Sequence, residues 1–161
     1  RTRSDQVGGP AGGAGNAAAP KSGAVLPEPL TVEFLLDPPF VWQGITGTLE
    51  IRLSNPNTTA VNRAQLSDEL PAALTLLDVS VDGGGRVERI DTAAGRPLIV
   101  ARWPTIAAGT SVSALITFQV DSALANGEVI DNLIAVRGTN AAYQTDAVTI
   151  GMPPLDPPLF E

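Results

Sequence analysis

Apolar and polar residues alternate most regularly between positions 106 and 136, IAAGTSVSALITFQVDSALANGEVIDNLIAV. From Val112 onward, Val112, Ala114, Ile116, Phe118 and Val120 fall on one face, while Ser113, Thr117, Gln119 and Asp121 fall on the other. A period of two residues is the pattern of a half-buried strand. Asn126-Gly127 interrupts it, and residues 129–136 resume it with Asn132 set among apolar neighbours.

The same period recurs along the chain. Residues 30–36 place Leu30, Val32, Phe34 and Leu36 on one face, and the following Asp37-Pro38-Pro39 ends the run because proline lacks a ladder donor. Residues 48–54 set Leu49, Ile51 and Leu53 against Thr48, Glu50, Arg52 and Ser54, with Asn55-Pro56-Asn57 as the turn. Weaker strands are expected at 60–66, 76–81 and 86–90, the last two joined by a hairpin at Asp82-Gly83-Gly84-Gly85. Residues 97–103 form a further strand closed by Pro104, and 143–150 form the last. Eight or nine short strands, turn signals about every dozen residues and no amphipathic helix predict an all-β sandwich. A closed barrel is the alternative, and spacing alone does not separate the two.

Composition divides the 161 residues into three parts: an arm at 1–29, a folded body at 30–151 and a proline-rich tail at 152–161. The arm holds 6 Gly, 6 Ala and 4 Pro, too little apolar surface for a core of its own, so it reads as an extended connector. Arg1, Arg3 and Lys21 against Asp5 and Glu28 give it a net charge of +1, whereas the remainder carries −8. An acidic body disfavours nucleic acid. No apolar run approaches the roughly 20 residues of a membrane span. Beginning at Arg1, the chain reads as a processed or trimmed product, which removal of a secretory signal or an artificial boundary would equally leave.

Chemistry is sparse. Without cysteine or histidine there are no thiolate or imidazole ligands, and no Ser-His-Asp triad can form. Adjacent Asp68 and Glu69 precede a Leu-Pro corner, where Asp68 is expected to cap the turn through its own backbone rather than act as an acid or base. Asp78, Asp82 and Asp91 lack the spacing of a calcium loop and read as a solvated hairpin. Asn132 reads as a buried amide that satisfies a loop backbone. Asn57-Thr58-Thr59 is a candidate N-glycosylation acceptor at Asn57. Phe40, Trp42 and Trp103 suit core and edge packing better than a sugar-binding platform. Lys21 is the only lysine and lies in the arm, which disfavours a Lys-Asn crosslink inside the sandwich. No catalytic, cofactor-binding or metal-binding residue is assigned, and the expected class is non-enzymatic.

Three segments carry a family resemblance. LEIRLSNPNTTAVNRAQLSDELPAAL at 49–74, WPTIAAGTSVSALITFQVD at 103–121 and GEVIDNLIAV at 127–136 resemble, in order, the signatures of the repeat domain of bacterial and archaeal surface proteins known as domain of unknown function eleven. The corresponding elements are Asn55, Asp68 with Leu70 and Pro71, Gly109 and Asn132. The resemblance implies an immunoglobulin-like sandwich in secreted or cell-wall-attached proteins, and no catalytic residues. The chain departs from the family by holding one copy, with the arm before it and the tail behind. In that tail Leu155-Asp156-Pro157-Pro158 repeats Leu36-Asp37-Pro38-Pro39.

The expected role is therefore a structural subunit of an extracellular or cell-surface assembly, a filament or surface layer, whose partners are copies of itself. The arm would join subunits head to tail by strand addition. Its expected contacts are the small residues Ala17, Ala18, Ala19, Ser22 and Ala24, with Val25 and Leu26. An adhesion or carbohydrate-binding module from a larger surface protein is the alternative, with a glycan as partner.

Overall fold

In the computed structural model, residues 28–93, 95–122 and 128–151 are described. The arm contacts expected at Ala17–Ala19, Ser22 and Ala24–Leu26, the Asn126-Gly127 turn and the tail 152–161 lie outside the described residues.

Nine strands form two antiparallel sheets. They are β1 (Thr31–Asp37), β2 (Thr46–Ser54), β3 (Val61–Glu69), β4 (Leu74–Val81), β5 (Arg86–Asp91), β6 (Pro97–Ile106), β7 (Ser111–Val120), β8 (Val129–Gly138) and β9 (Ala141–Gly151). One sheet runs β1-β2-β7-β4 and the other β5-β6-β3-β8-β9. The architecture is an immunoglobulin-like sandwich, not a barrel, because each sheet keeps two open edges.

The core lies between the sheets and is assembled by the alternation itself. In β7 the odd-numbered positions face out while Val112, Ala114, Ile116, Phe118 and Val120 are buried. Leu49, Ile51 and Leu53 of β2 join them, and the opposite sheet contributes Leu66, Ile99, Trp103 and Ile134. With so few aromatic residues, Trp103 and Phe118 are the largest fully buried side chains. Close packing of branched aliphatic residues around them supplies the apolar burial.

Two expectations are corrected. Pro104 does not close its strand, because β6 continues to Ile106 with Asn62 opposite Thr105 and Val61 opposite Ile106. The ladder to β5 has already ended at Arg102, so on that side the absent N–H of Pro104 breaks no bond. Across from Pro104, Arg63 adopts φ 52°, and both strands shift their inward phase there, from Ala64 and Trp103 to Val61 and Ile106.

Asp82 to Gly85 is not a hairpin either. β4 and β5 belong to different sheets, so this turn carries the chain across the sandwich. Gly83 and Gly84 take φ of 65° and 77°, and Trp103 Nε1 donates to the Asp82 carbonyl at 2.7 Å.

Candidate functional site

The residues that carried the family resemblance gather into two buried polar centres. At the first, Asn55 is 1 % exposed at the end of β2, and its Nδ2 donates to the carbonyls of Thr59 at 2.9 Å and Ile106 at 3.0 Å. Its Oδ1 accepts from the Asn57 backbone N–H at 3.0 Å. Its own N–H donates to the Thr110 carbonyl and its carbonyl accepts from Gly109 N–H, both at 2.9 Å. One side chain therefore ties the β2–β3 turn to the β6–β7 turn. Gly109 serves that contact at φ 69°, a conformation open to glycine.

The second centre joins β3 to β8. Asp68 and Asn132 are both fully buried, and Asn132 Nδ2 donates to Asp68 Oδ2 at 2.9 Å. Asp68 thus sits in a strand facing the core and does not cap the Leu-Pro corner. Asn132 serves this carboxylate and not a loop backbone. Desolvation lifts the Asp68 carboxyl from 3.8 to about 6, with the Asn132 bond opposing it. The corner is held instead by main chain, Leu70 N–H to the Pro97 carbonyl at 3.1 Å, and by Arg96 Nε to the Leu70 carbonyl at 3.1 Å.

Neither centre presents a polar group to solvent. Asn55 is saturated by backbone groups and Asp68 is closed off from solvent. Among the described residues no three acidic side chains converge as metal ligands. Asp82 is occupied as well, since its Oδ1 accepts from Ser113 N–H at 2.6 Å. The three aromatic residues do not form one platform. Trp103 lies in the core, while Phe40 and Trp42 are exposed on either side of buried Val41, whose N–H donates to the Gly151 carbonyl at 3.1 Å.

Asn57 meets the chain where it enters the sandwich. Its Oδ1 accepts from Glu28 N–H at 2.7 Å and its Nδ2 donates to the Glu28 carbonyl at 2.8 Å. A sugar attached to that nitrogen would replace one of its two hydrogens, and Nδ2 also donates to Asn55 Oδ1 at 3.1 Å.

The open features are the sheet edges. β1 and β4 border one sheet, and β5 and β9 the other, each paired on one side alone. β9 is the longest, with 11 residues. It lies beside the chain's entry point, where Gln144 Nε2 donates to the Leu30 carbonyl at 2.6 Å. Along it Asp146 accepts from its neighbour's N–H, Ala147, at 2.8 Å, so one edge donor is already covered. Periodicity could not single out this edge, because strand order depends on pairings distant in sequence. No helix among the described residues is long and apolar enough to cross a membrane.

No family model matches the chain, and no curated protein matches it. Solved structures do. A major pilin subunit of Bacillus cereus superposes with a TM-score of 0.59 at 14 % identity, covering 76 % of this chain and 40 % of that one. Domains D2 and D3 of the major pilin SpaD from Corynebacterium diphtheriae give 0.52 at 18 %, covering 73 % and 49 %. A protein from Nocardia farcinica described as having an immunoglobulin-like fold gives 0.51 at 12 %, covering 76 % and 96 %. At these identities the likeness is one of fold, and the chain spans less than half of either pilin chain.

Proposed function

We propose that this chain is a non-enzymatic structural subunit of an extracellular assembly at the cell surface, with residues 30–151 as the brick and residues 1–29 as the connector. The observation that carries the reading is the edge of the 11-residue β9, paired with a strand on one side alone and taken up at only the Ala147 N–H and the Gly151 carbonyl by the contacts above, in a chain that also holds a 29-residue Gly/Ala/Pro arm. An edge strand presents unpaired N–H and C=O groups, and an extended segment with small side chains can pair with them closely. Ala17–Ala19, Ser22 and Ala24–Leu26 of one copy supply such a segment, and Lys21 among them complements Asp146 on the edge. Twenty-nine extended residues reach up to about 95 Å, more than the ~35–40 Å breadth of such a domain. A head-to-tail contact that does not close generates a filament. The pilins that share the fold support an assembly role, and the three segments resembling domain of unknown function eleven support a surface setting.

Deleting residues 1–29 tests this. The expected product is a folded monomer that forms no filaments under electron microscopy, whereas filaments from the truncated chain would remove the arm from the mechanism. One observation favours a second reading, an adhesion or glycan-binding module: Phe40 and Trp42 are 46 % and 49 % exposed at one end of the sandwich. Glycan binding lost in Trp42→Ala would support it.

A further inference from the structure

The outward face of the five-stranded sheet carries an in-register cationic row. Arg86 lies opposite Arg102, Arg102 opposite Gln65, and Gln65 opposite Arg137. Directly opposed residues share a face, and like charges so placed repel. The row is notable in an acidic chain because only one of its three arginines, Arg102, has a counter-charge. Arg52, Arg89, Arg96 and Arg102 each have a carboxylate partner, the shortest contact being Arg102 to Glu88 at 2.8 Å. Arg63, Arg86 and Arg137 form no ion pair among the described residues, although Arg137 Nη2 donates to Gln65 Oε1 at 3.3 Å. Arg63, Arg102 and Arg137 line an open hollow of about 480 Å³, and Arg63 reaches it from the left-handed backbone region at φ 52°. Farther along this face, Tyr143 and Leu133 are exposed over a second depression.

We propose that the row and its hollow together bind a carboxylate-bearing, proline-rich extended peptide, and that the occupant is segment 152–161, MPPLDPPLFE, of a second copy of the chain. The proposal rests on the self-assembly reading above but uses a different terminus. The segment carries Asp156 and Glu161 and no basic residue, whereas the arm brings Arg1, Arg3 and Lys21 and would add like charge to the row.

Its four prolines favour an extended polyproline conformation, which lowers the ordering cost of docking. At ~3.1 Å per residue in that conformation, Asp156 and Glu161 stand about 15 Å apart. From Arg86 to Arg137 the row crosses three interstrand spacings, about 14 Å. The two carboxylates therefore match its two ends, where guanidinium forks can bind them through paired hydrogen bonds. With Asp156 at Arg137, Leu155 falls beside Tyr143.

A second copy is the donor because each chain's own tail leaves from the wrong end. Gly151 pairs with Val129, eight residues along β8 from Arg137, or roughly 26 Å. To reach its own row, an extended proline-rich segment would have to reverse over its own sheet.

The test is a nuclear magnetic resonance titration of the full chain with amidated MPPLDPPLFE. Saturable shifts are expected at residues 63, 65, 86, 102, 137 and 139, weakening with salt. Each carboxylate removed from the peptide, Asp156→Asn or Glu161→Gln, should weaken binding about tenfold, as should Arg86→Gln or Arg137→Gln at the ends of the row and Arg63→Gln in the hollow. Absence of shifts, shifts elsewhere, or equal binding of the neutral peptide would overturn the proposal. The peptide variants carry the test if an arginine variant loses its dispersed spectrum. Peptide binding by a chain that forms no filaments would support this site and count against the arm. Arm-dependent filaments without peptide binding would do the reverse.

Discussion

Asn132 Nδ2 donates to Asp68 Oδ2 at 2.9 Å inside the core, and the remaining polar atom of each side chain, Asp68 Oδ1 and Asn132 Oδ1, is an oxygen buried without a hydrogen bond. Both orphan atoms are acceptors, so the centre lacks a donor. A proton held by the Asp68 carboxyl supplies one, and burial favours that neutral form, consistent with the shift from 3.8 to about 6. Above that pH the sandwich carries a buried carboxylate satisfied on one side only.

Stability should therefore depend on pH through Asp68 in the direction opposite to that of a salt-bridged acid. The folded-state value lies above the unfolded one, so the contribution is fully present below pH 3.8, declines as pH rises to about 6, and stays constant beyond. A shift of this size corresponds to about 3 kcal/mol at neutral pH. Asp68→Asn keeps the shape and replaces the proton with a permanent amide donor. Urea unfolding of the two proteins from pH 4 to 8 should show the variant gaining on the parent as pH rises. A constant difference across that range would contradict the assignment.

Asn55 makes the opposite kind of centre, since its amide bonds are formed at both ends. Asn55→Ala would strip the donor from the buried Ile106 carbonyl and from the Thr59 carbonyl and release the Asn57 N–H, loosening two turns at once. A cost of about 2–4 kcal/mol is expected, read as a lower urea midpoint. Asn55→Asp should not rescue it, because a carboxylate has no donor for those carbonyls.

The strands were legible because alternation is local: Val112 to Val120 of β7 lie as their period requires, and the buried set of β2 follows the same rule. What a residue meets across the sandwich was not. Asp68 reads as a turn cap in its own neighbourhood, and the partner that explains it stands 64 positions away. Asp82 to Gly85 looks like a hairpin because turn chemistry does not reveal which sheet the next strand joins. The arginine row was equally hidden, since Arg86, Arg102 and Arg137 become neighbours only through the registers of four strands.

The sheet-crossing corner gives a graded test. A Cβ on Gly85 would overlap the Trp103 indole, while one on Gly84 meets nothing within 4 Å and is opposed only by its φ of 77°. Gly84→Ala should cost about 1 kcal/mol, the usual expense of a left-handed backbone. Gly85→Ala should cost more, about 2–3 kcal/mol, because the core tryptophan must shift and strain its bond to Asp82. In a Trp42→Phe background, tryptophan emission reports Trp103 alone and should move to longer wavelength in Gly85→Ala only.

Arg63 separates stability from binding. Its backbone holds a conformation that disfavours any residue with a Cβ, and its guanidinium has no ion-pair partner among the described residues to offset that cost. Arg63→Gly removes the strain, by about 1 kcal/mol, although the glycine gains freedom in the unfolded chain that offsets part of it. Arg63→Gln keeps the strain and removes the charge. The glycine variant should therefore melt no lower than the glutamine variant, and both should lose affinity for the acidic peptide alike. A glycine variant well below the glutamine variant would mean that the aliphatic stem, which both glutamine and arginine retain in part, packs against the sheet. The bent backbone would then belong to folding rather than to the anion site.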